Sequence, residues 1–246
     1  MTVDSAVAIG LLLPDVLGTY SDAGNATVLA QRLRWRGIPA DVHRVTARDT
    51  PPAGCDIYLL GGGEDIAQYY AASWLQRHRG LRHALDTRAH ILAVCAGMQI
   101  LGHTMTDATG HHHRGLGLLD LTTAPRSQRA VGQILTRCSL PGVGLLTGFE
   151  NHRGATSLGA GAQPLGQVVA GIGNGAGPAA EGIVTDRVIA TYLHGPVLAR
   201  NPTLADYLLQ QVIGYPLPAL DLPDLPALRA HYLAATQRRT LLRRRR

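Results

Sequence analysis

Five short apolar runs constrain this chain more than any other feature: Ala6 to Leu13, Ile57 to Leu60, Ile91 to Val94, Gly182 to Val184 and Val188 to Leu193. None contains a charged residue and none alternates apolar with polar, so each reads as a strand buried on both faces. Helical patterns lie between several of them. Asn25 to Arg36 sets Val28, Leu29, Leu33 and Trp35 among basic residues, and Leu75 to Arg88 spaces Leu81, Ala84 and Leu85 at helical intervals. Strands alternating with helices predict an α/β fold, a mostly parallel open sheet with helices on both faces. Gly110 to Gly182 differs, because Gly, Thr and short β-prone pieces dominate there; it predicts an added region of irregular loops and antiparallel strands. Thr203 to Ile213 predicts a helix, and the proline-rich "GYPLPALDLPDLP" leads to a last helical stretch. A chain of 246 residues without internal repeats fits one domain, residues 1–246.

Hydrophobic residues make up 46% of the chain and charged ones 16%, which excludes a disordered polymer. No basic segment precedes the apolar run Val7 to Leu13, and Pro14 and Asp15 end it after one strand's length, so it reads as neither signal peptide nor membrane span. No other run approaches the roughly 18 apolar residues of a spanning helix. A cytoplasmic protein is expected. Cys55, Cys95 and Cys138 form no C-x-x-C pair, which argues against a disulfide framework or a zinc knuckle. His111 to Arg114 ("HHHR") reads as a polar loop rather than a metal site, since adjacent side chains splay apart and no second ligand cluster has a suitable spacing. The net charge of +6 owes much to residues 237–246, where six arginines fall among the last nine residues; this is expected to be a basic, flexible tail. Aromatic residues are only 4% of the chain, too few for base stacking, and no nucleic-acid partner is expected.

In open parallel sheets, ligands gather at the carboxyl ends of the strands. After "DIYLL" comes Gly61-Gly62-Gly63, after "HILAV" comes Cys95, and after "VIATYL" comes His194. Ala93-x-Cys95-x-Gly97 is a cysteine version of the strand-to-helix elbow, whose sharp turn tolerates only small flanking residues. It exposes the sulfur at a helix start, where unpaired N–H groups favour thiolate over thiol. His194 is placed to serve as base and then as acid to a leaving amine. The Ala96 N–H and one from the turn containing Gly62 and Gly63 would form an oxyanion hole.

The same residues resemble the class I glutamine amidotransferases, through "LLPDVLGTYSDAGN", "LLGGGEDIAQ", "LAVCAGMQILG", "GFENHRGAT", "GNGAGPAAEG" and "TYLHGPVLARNP", in order along nearly the whole chain. Within the class the opening and "GFENHRGAT" look like the cobyric-acid-synthase-like branch, and most like glutaminase subunits that serve lipid II amidation. The resemblance implies a flavodoxin-like class I glutaminase fold. It also implies that Cys95 attacks the side-chain amide of L-glutamine, and that ammonia passes to a Mur-ligase-like synthetase subunit amidating the D-glutamate of lipid II in peptidoglycan synthesis. Relatives in this branch carry an ATP-using domain on the same chain. No G-x-x-x-x-G-K-[ST] sequence occurs here, so no cofactor is expected on this chain, with ATP and Mg on the partner of a heterodimer. Arg129 in "PRSQRAVGQ" matches an arginine that holds the substrate glutamine in the family, with Arg126 as its neighbour in the stretch; a guanidinium fork suits an α-carboxylate. The usual class I triad ends His-x-Glu, whereas here the sequence is His194-Gly195-Pro196. A Cys–His pair is therefore expected, any third group coming from elsewhere in the fold or from the partner, and the lone subunit should be a poor glutaminase. Glu150 to Arg153 are expected to shape a loop. Amidation of another acceptor, cobyric-acid-type included, and a related α/β cysteine hydrolase are the alternative activities.

Overall fold

The computed structural model describes residues 6–19 and 21–243, with side chains up to 234 and at Thr236. The first part of the chain runs β1 (Val7–Leu12), α1 (Gly24–Arg34), β2 (Ala40–Val45), β3 (Ile57–Leu60), α2 (Asp65–Arg77), α3 (Arg79–Thr87), β4 (His90–Val94) and α4 (Ala96–Leu101). A second set follows: β5 (Thr104–Thr106), β6 (His112–Arg114), β7 (Leu121–Cys138), β8 (Leu145–Leu158), β9 (Gly166–Ala170) and β10 (Ala180–Glu181). The chain then returns through β11 (Ile183–Val184) and β12 (Val188–Thr191), and closes with α5 (Val197–Arg200), α6 (Pro202–Ile213) and α7 (Asp224–Arg243).

The first sheet has the order β11-β12-β4-β3-β1-β2. All its pairings are parallel except the edge pair β11–β12. Its central strands are apolar throughout because both faces are covered: every residue of β3 and β12 is buried, and two helix groups, α1 with α5 and α6 and α2 with α3 and α4, pack against it. A fully buried Leu or Ile stabilises by about 1.5–3 kcal/mol, so Ile9, Leu12, Ile57, Leu60, Ile91 and Leu92 anchor this layer. The order reverses between β1 and β3, the switch point where ligands gather in open α/β sheets.

Two local expectations are corrected and one is borne out in more regular form. The pattern at Leu75 to Arg88 straddles two helices, since α2 ends at Arg77 and α3 begins at Arg79. Most of α2 went unread because its buried stripe is Gln68, Ala71, Ala72, Trp74 and Leu75, while Ile66 and Tyr70 face solvent. The antiparallel strands expected from Gly110 are present and more regular than expected: β7 and β8 form a long antiparallel ribbon, broken only by a register shift between Pro125 and Ala130, within a second sheet ordered β10-β9-β7-β5-β6. Within that sheet, residues 112–114 of "HHHR" form β6 rather than a loop. The basic stretch 237–246 lies largely beyond description: the backbone continues α7 to Arg243, and residues 244–246 fall outside the described residues.

Candidate active site

β4 delivers Cys95 to the carboxyl edge of the parallel sheet, and α4 begins at the next residue. The elbow is built as its small residues suggest. Cys95 takes φ +53° and ψ −106°, a conformation that costs a non-glycine residue on the order of 1–3 kcal/mol and persists only where neighbours enforce it. Two of those neighbours are visible: the Cys95 N–H donates to Thr191 O at 2.8 Å, and the Gly97 N–H donates to Gly61 O at 3.1 Å. Gly97 has no alternative, because a Cβ there would lie 2.8 Å from both Cβ and O of Leu60.

His194 follows β12 and is held by an antiparallel bridge to Phe149 of β8. Its Nδ1–H donates to Asp22, 3.0 Å from Oδ2 and 3.3 Å from Oδ1. Asp22 sits between β1 and α1, and the Gly62 N–H also donates to its Oδ2 at 3.0 Å. Histidine and aspartate are both almost wholly buried. Burial alone would lower the His194 pKa, but hydrogen bonds to Asp22 and to Cys95, and the charges of both, carry it up to about 10. The imidazole thus keeps its proton through neutral pH. The third group that the sequence left to elsewhere in the fold or to the partner is Asp22 of this chain, in the orienting position, and the argument for a poor lone glutaminase loses its premise.

A cavity opens beside the sulfur. Gly63, Ala96, Gln99, Arg129, Asn151 and His152 are among the residues that line it with Cys95. Ala96 lies in the first turn of α4, where N–H groups lack intrahelical acceptors. Gly63 faces the cavity, whereas Gly62 has its N–H committed to Asp22; Gly62 positions the aspartate rather than the substrate. Arg129 reaches the cavity from β7, its Nε donating to Asn151 Oδ1 at 2.6 Å and its Nη2 3.9 Å from Glu64. Glu150 to Arg153 lie inside β8, not in a loop. Glu150 accepts the N–H groups of Ile172 and Gly173, which gives "GIGNGAG" a structural task, and His152 stacks on Tyr192 with ring centroids 3.7 Å apart. Tyr192 OH in turn bonds Gln99 Nε2 at 2.8 Å.

Among the described residues no group of three or more His, Cys, Asp or Glu is gathered as a metal site, and no helix is long and apolar enough to cross a membrane.

The fold is that of class I glutaminases. A solved glutamine amidotransferase superposes with a TM-score of 0.56 at 19% identity, over 83% of this chain and 98% of that one. The glutaminase domain of Trypanosoma brucei CTPS, solved with bound acivicin, gives 0.54 at 11% identity, over 87% and 96%. Residues 8–202 match the CobB/CobQ-like glutamine amidotransferase domain, and the chain belongs to that family of enzymes. It is 35% identical over 201 residues to the lipid II isoglutaminyl synthase (glutamine-hydrolysing) subunit GatD of Staphylococcus aureus, covering 81% of each chain. The subunit of the same name from Streptococcus pneumoniae is 33% identical over 200 residues, 80% of this chain and 76% of that one. Cobyric acid synthase of Xanthobacter autotrophicus is 30% identical over 165 residues, 63% of this chain but only 32% of its own.

Proposed function

We propose that this chain, acting as a single glutaminase domain, hydrolyses L-glutamine through a thioester on Cys95 and hands the ammonia to a synthetase subunit. The observation that carries the reading is the strained elbow cysteine beside a buried histidine that is itself held by a buried aspartate. The sulfur attacks the side-chain amide carbon; the C–N bond breaks, and the proton on His194 goes to the departing nitrogen, releasing ammonia. Water, deprotonated by His194, then hydrolyses the thioester to glutamate; the C–S bond breaks, the sulfur leaves with its electron pair, and the imidazole is protonated again for the next turnover. Asp22 fixes the imidazole tautomer and stabilises its cation. The Ala96 N–H, with that of Gly63, serves the oxyanion. Arg129 binds the α-carboxylate of glutamine with its fork.

Lipid II as the acceptor rests on the names of the two GatD relatives; the partner in this reading is an ATP-dependent, Mur-ligase-like synthetase that amidates the D-glutamate of lipid II to D-isoglutamine. ATP and Mg belong to that partner, and the pair works in the cytoplasm. The test is glutamate release from L-glutamine by wild type and Cys95→Ser, with and without the synthetase candidate. Release that needs Cys95 is expected, with amidated lipid II appearing only when the partner and ATP are added. No release under either condition would refute the glutaminase reading; Cys95-dependent release without lipid II amidation would refute the acceptor alone.

A further inference from the structure

Glu181 has no part in the chemistry above, yet it is wholly buried at the end of β10. Its place follows from a crossing: β10 belongs to the second sheet and β11 to the first, and the chain passes between them at Gly182, whose φ is +61°. Oε1 of Glu181 accepts two hydrogen bonds, from Thr191 Oγ1 at 2.8 Å and from the Tyr192 N–H at 2.7 Å. Oε2 has no hydrogen-bond partner among the described residues. Burial pushes the carboxyl pKa up to about 8, against the two hydrogen bonds and with the help of the Glu150 charge. A buried carboxyl without a cation is costly.

What it holds is the exit from β12. Past Thr191 the strand leaves the ladder, and buried N–H groups there need other acceptors. Tyr192 takes Glu181, and Leu193 takes Thr191 Oγ1 at 3.0 Å, the same hydroxyl that Glu181 orients. His194 is the next residue. Thr191 O, on the other side, accepts the Cys95 N–H at the strained elbow. Glu181 thus holds the start of the segment that carries the imidazole, the Phe149 bridge holds its end at His194, and Thr191 O within it braces the elbow.

We infer that Glu181 is a positioning residue, whose carboxyl sets the separation of the Cys95 sulfur from the His194 imidazole by clamping the turn Thr191 to His194. The inference rests on the glutaminase reading for its consequence in turnover, and on geometry alone for the reactivity of Cys95. Iodoacetamide alkylation at Cys95, followed by mass spectrometry, and kcat and KM for glutamate release are measured for wild type, Glu181→Ala, Glu181→Gln and Thr191→Val. Glu181→Ala is expected to slow Cys95 alkylation and to lower kcat by about ten- to hundredfold, with KM within about twofold of wild type. Glu181→Gln keeps the acceptor oxygen and is expected to restore both rates to within about threefold. If Glu181→Ala does not fold, Thr191→Val, which removes only the hydroxyl link, is expected to show the same loss of about tenfold. Wild-type rates in the alanine and valine variants, a loss carried by KM, or a loss that Glu181→Gln shares would overturn the role. Absence of Cys95-dependent glutamate release in wild type would defeat the glutaminase reading instead, and the alkylation rates would still decide this one.

Discussion

The carboxyl edge of the parallel sheet and the β7–β8 ribbon meet at one cavity but contribute to it differently. The first brings Asp22, Cys95 and His194 from the segments that follow β1, β4 and β12, all buried, with Asp22 hydrogen-bonded to His194. The second brings Arg129 and Asn151, one from each strand of a ribbon with one face toward solvent, and Arg129 remains well exposed. A sheet buried on both faces can hold reacting groups rigidly and dry, where charges interact strongly. A half-exposed ribbon can present a charged fork to a substrate without the cost of burying it. Chemistry should therefore depend on the first region and binding on the second.

Substitutions on the two sides test that division. Asp22→Asn should have the largest effect, lowering kcat by on the order of 10²- to 10⁴-fold with little change in KM, as expected when an imidazole loses the carboxylate that fixes its tautomer. Steady-state glutaminase assays decide it, and a loss falling on KM would erase the contrast. Arg129→Lys should do the reverse, raising KM by about tenfold while kcat holds, because an ammonium cannot grip a carboxylate with two parallel bonds. Gly97→Ala leaves every functional group in place but forces a methyl against Leu60. It should lower unfolding stability by about 1–3 kcal/mol in urea titrations. A further effect is on pH dependence. His194 has a folded-state pKa raised to about 10 from an ordinary 6.5, so its contribution is fully present below about pH 6.5 and is lost as pH rises to 10. Stability measured across that window should fall in wild type and fall less in Asp22→Asn.

The same two regions differ in how plainly the sequence announces them. Cys95 and His194 follow short runs dominated by apolar residues, and the elbow requires small residues, so both could be read directly from "HILAVCAG" and "VIATYLHG". Asp22 could not. It stands in a turn with no periodicity, and its partner is 172 residues away; the only hint was its place inside "TYSDAGN". β2 was missed because it is the sheet edge, with four exposed residues between two buried ones. β7 and β8 were blurred because "LTTAPRSQRAVG" mixes Pro, Arg and Thr on a largely solvent-facing surface, where hydrophobic alternation carries little signal. Nothing in the sequence marks Glu150 or Glu181 as buried, since burial of a carboxylate depends on partners that only the folded chain supplies.

The 172-residue span between Asp22 and His194 also sets an order of events during synthesis. A chain is made from its first-coded end, so the elbow cysteine, the glycine turn and the aspartate have been translated well before β12, whose Thr191 O braces the elbow. Until then the nascent sulfur has no imidazole beside it. Competence to react thus arrives late in synthesis, with the segment that inserts next to β4, and a product cut short before that segment would retain the nucleophile but no means of using it.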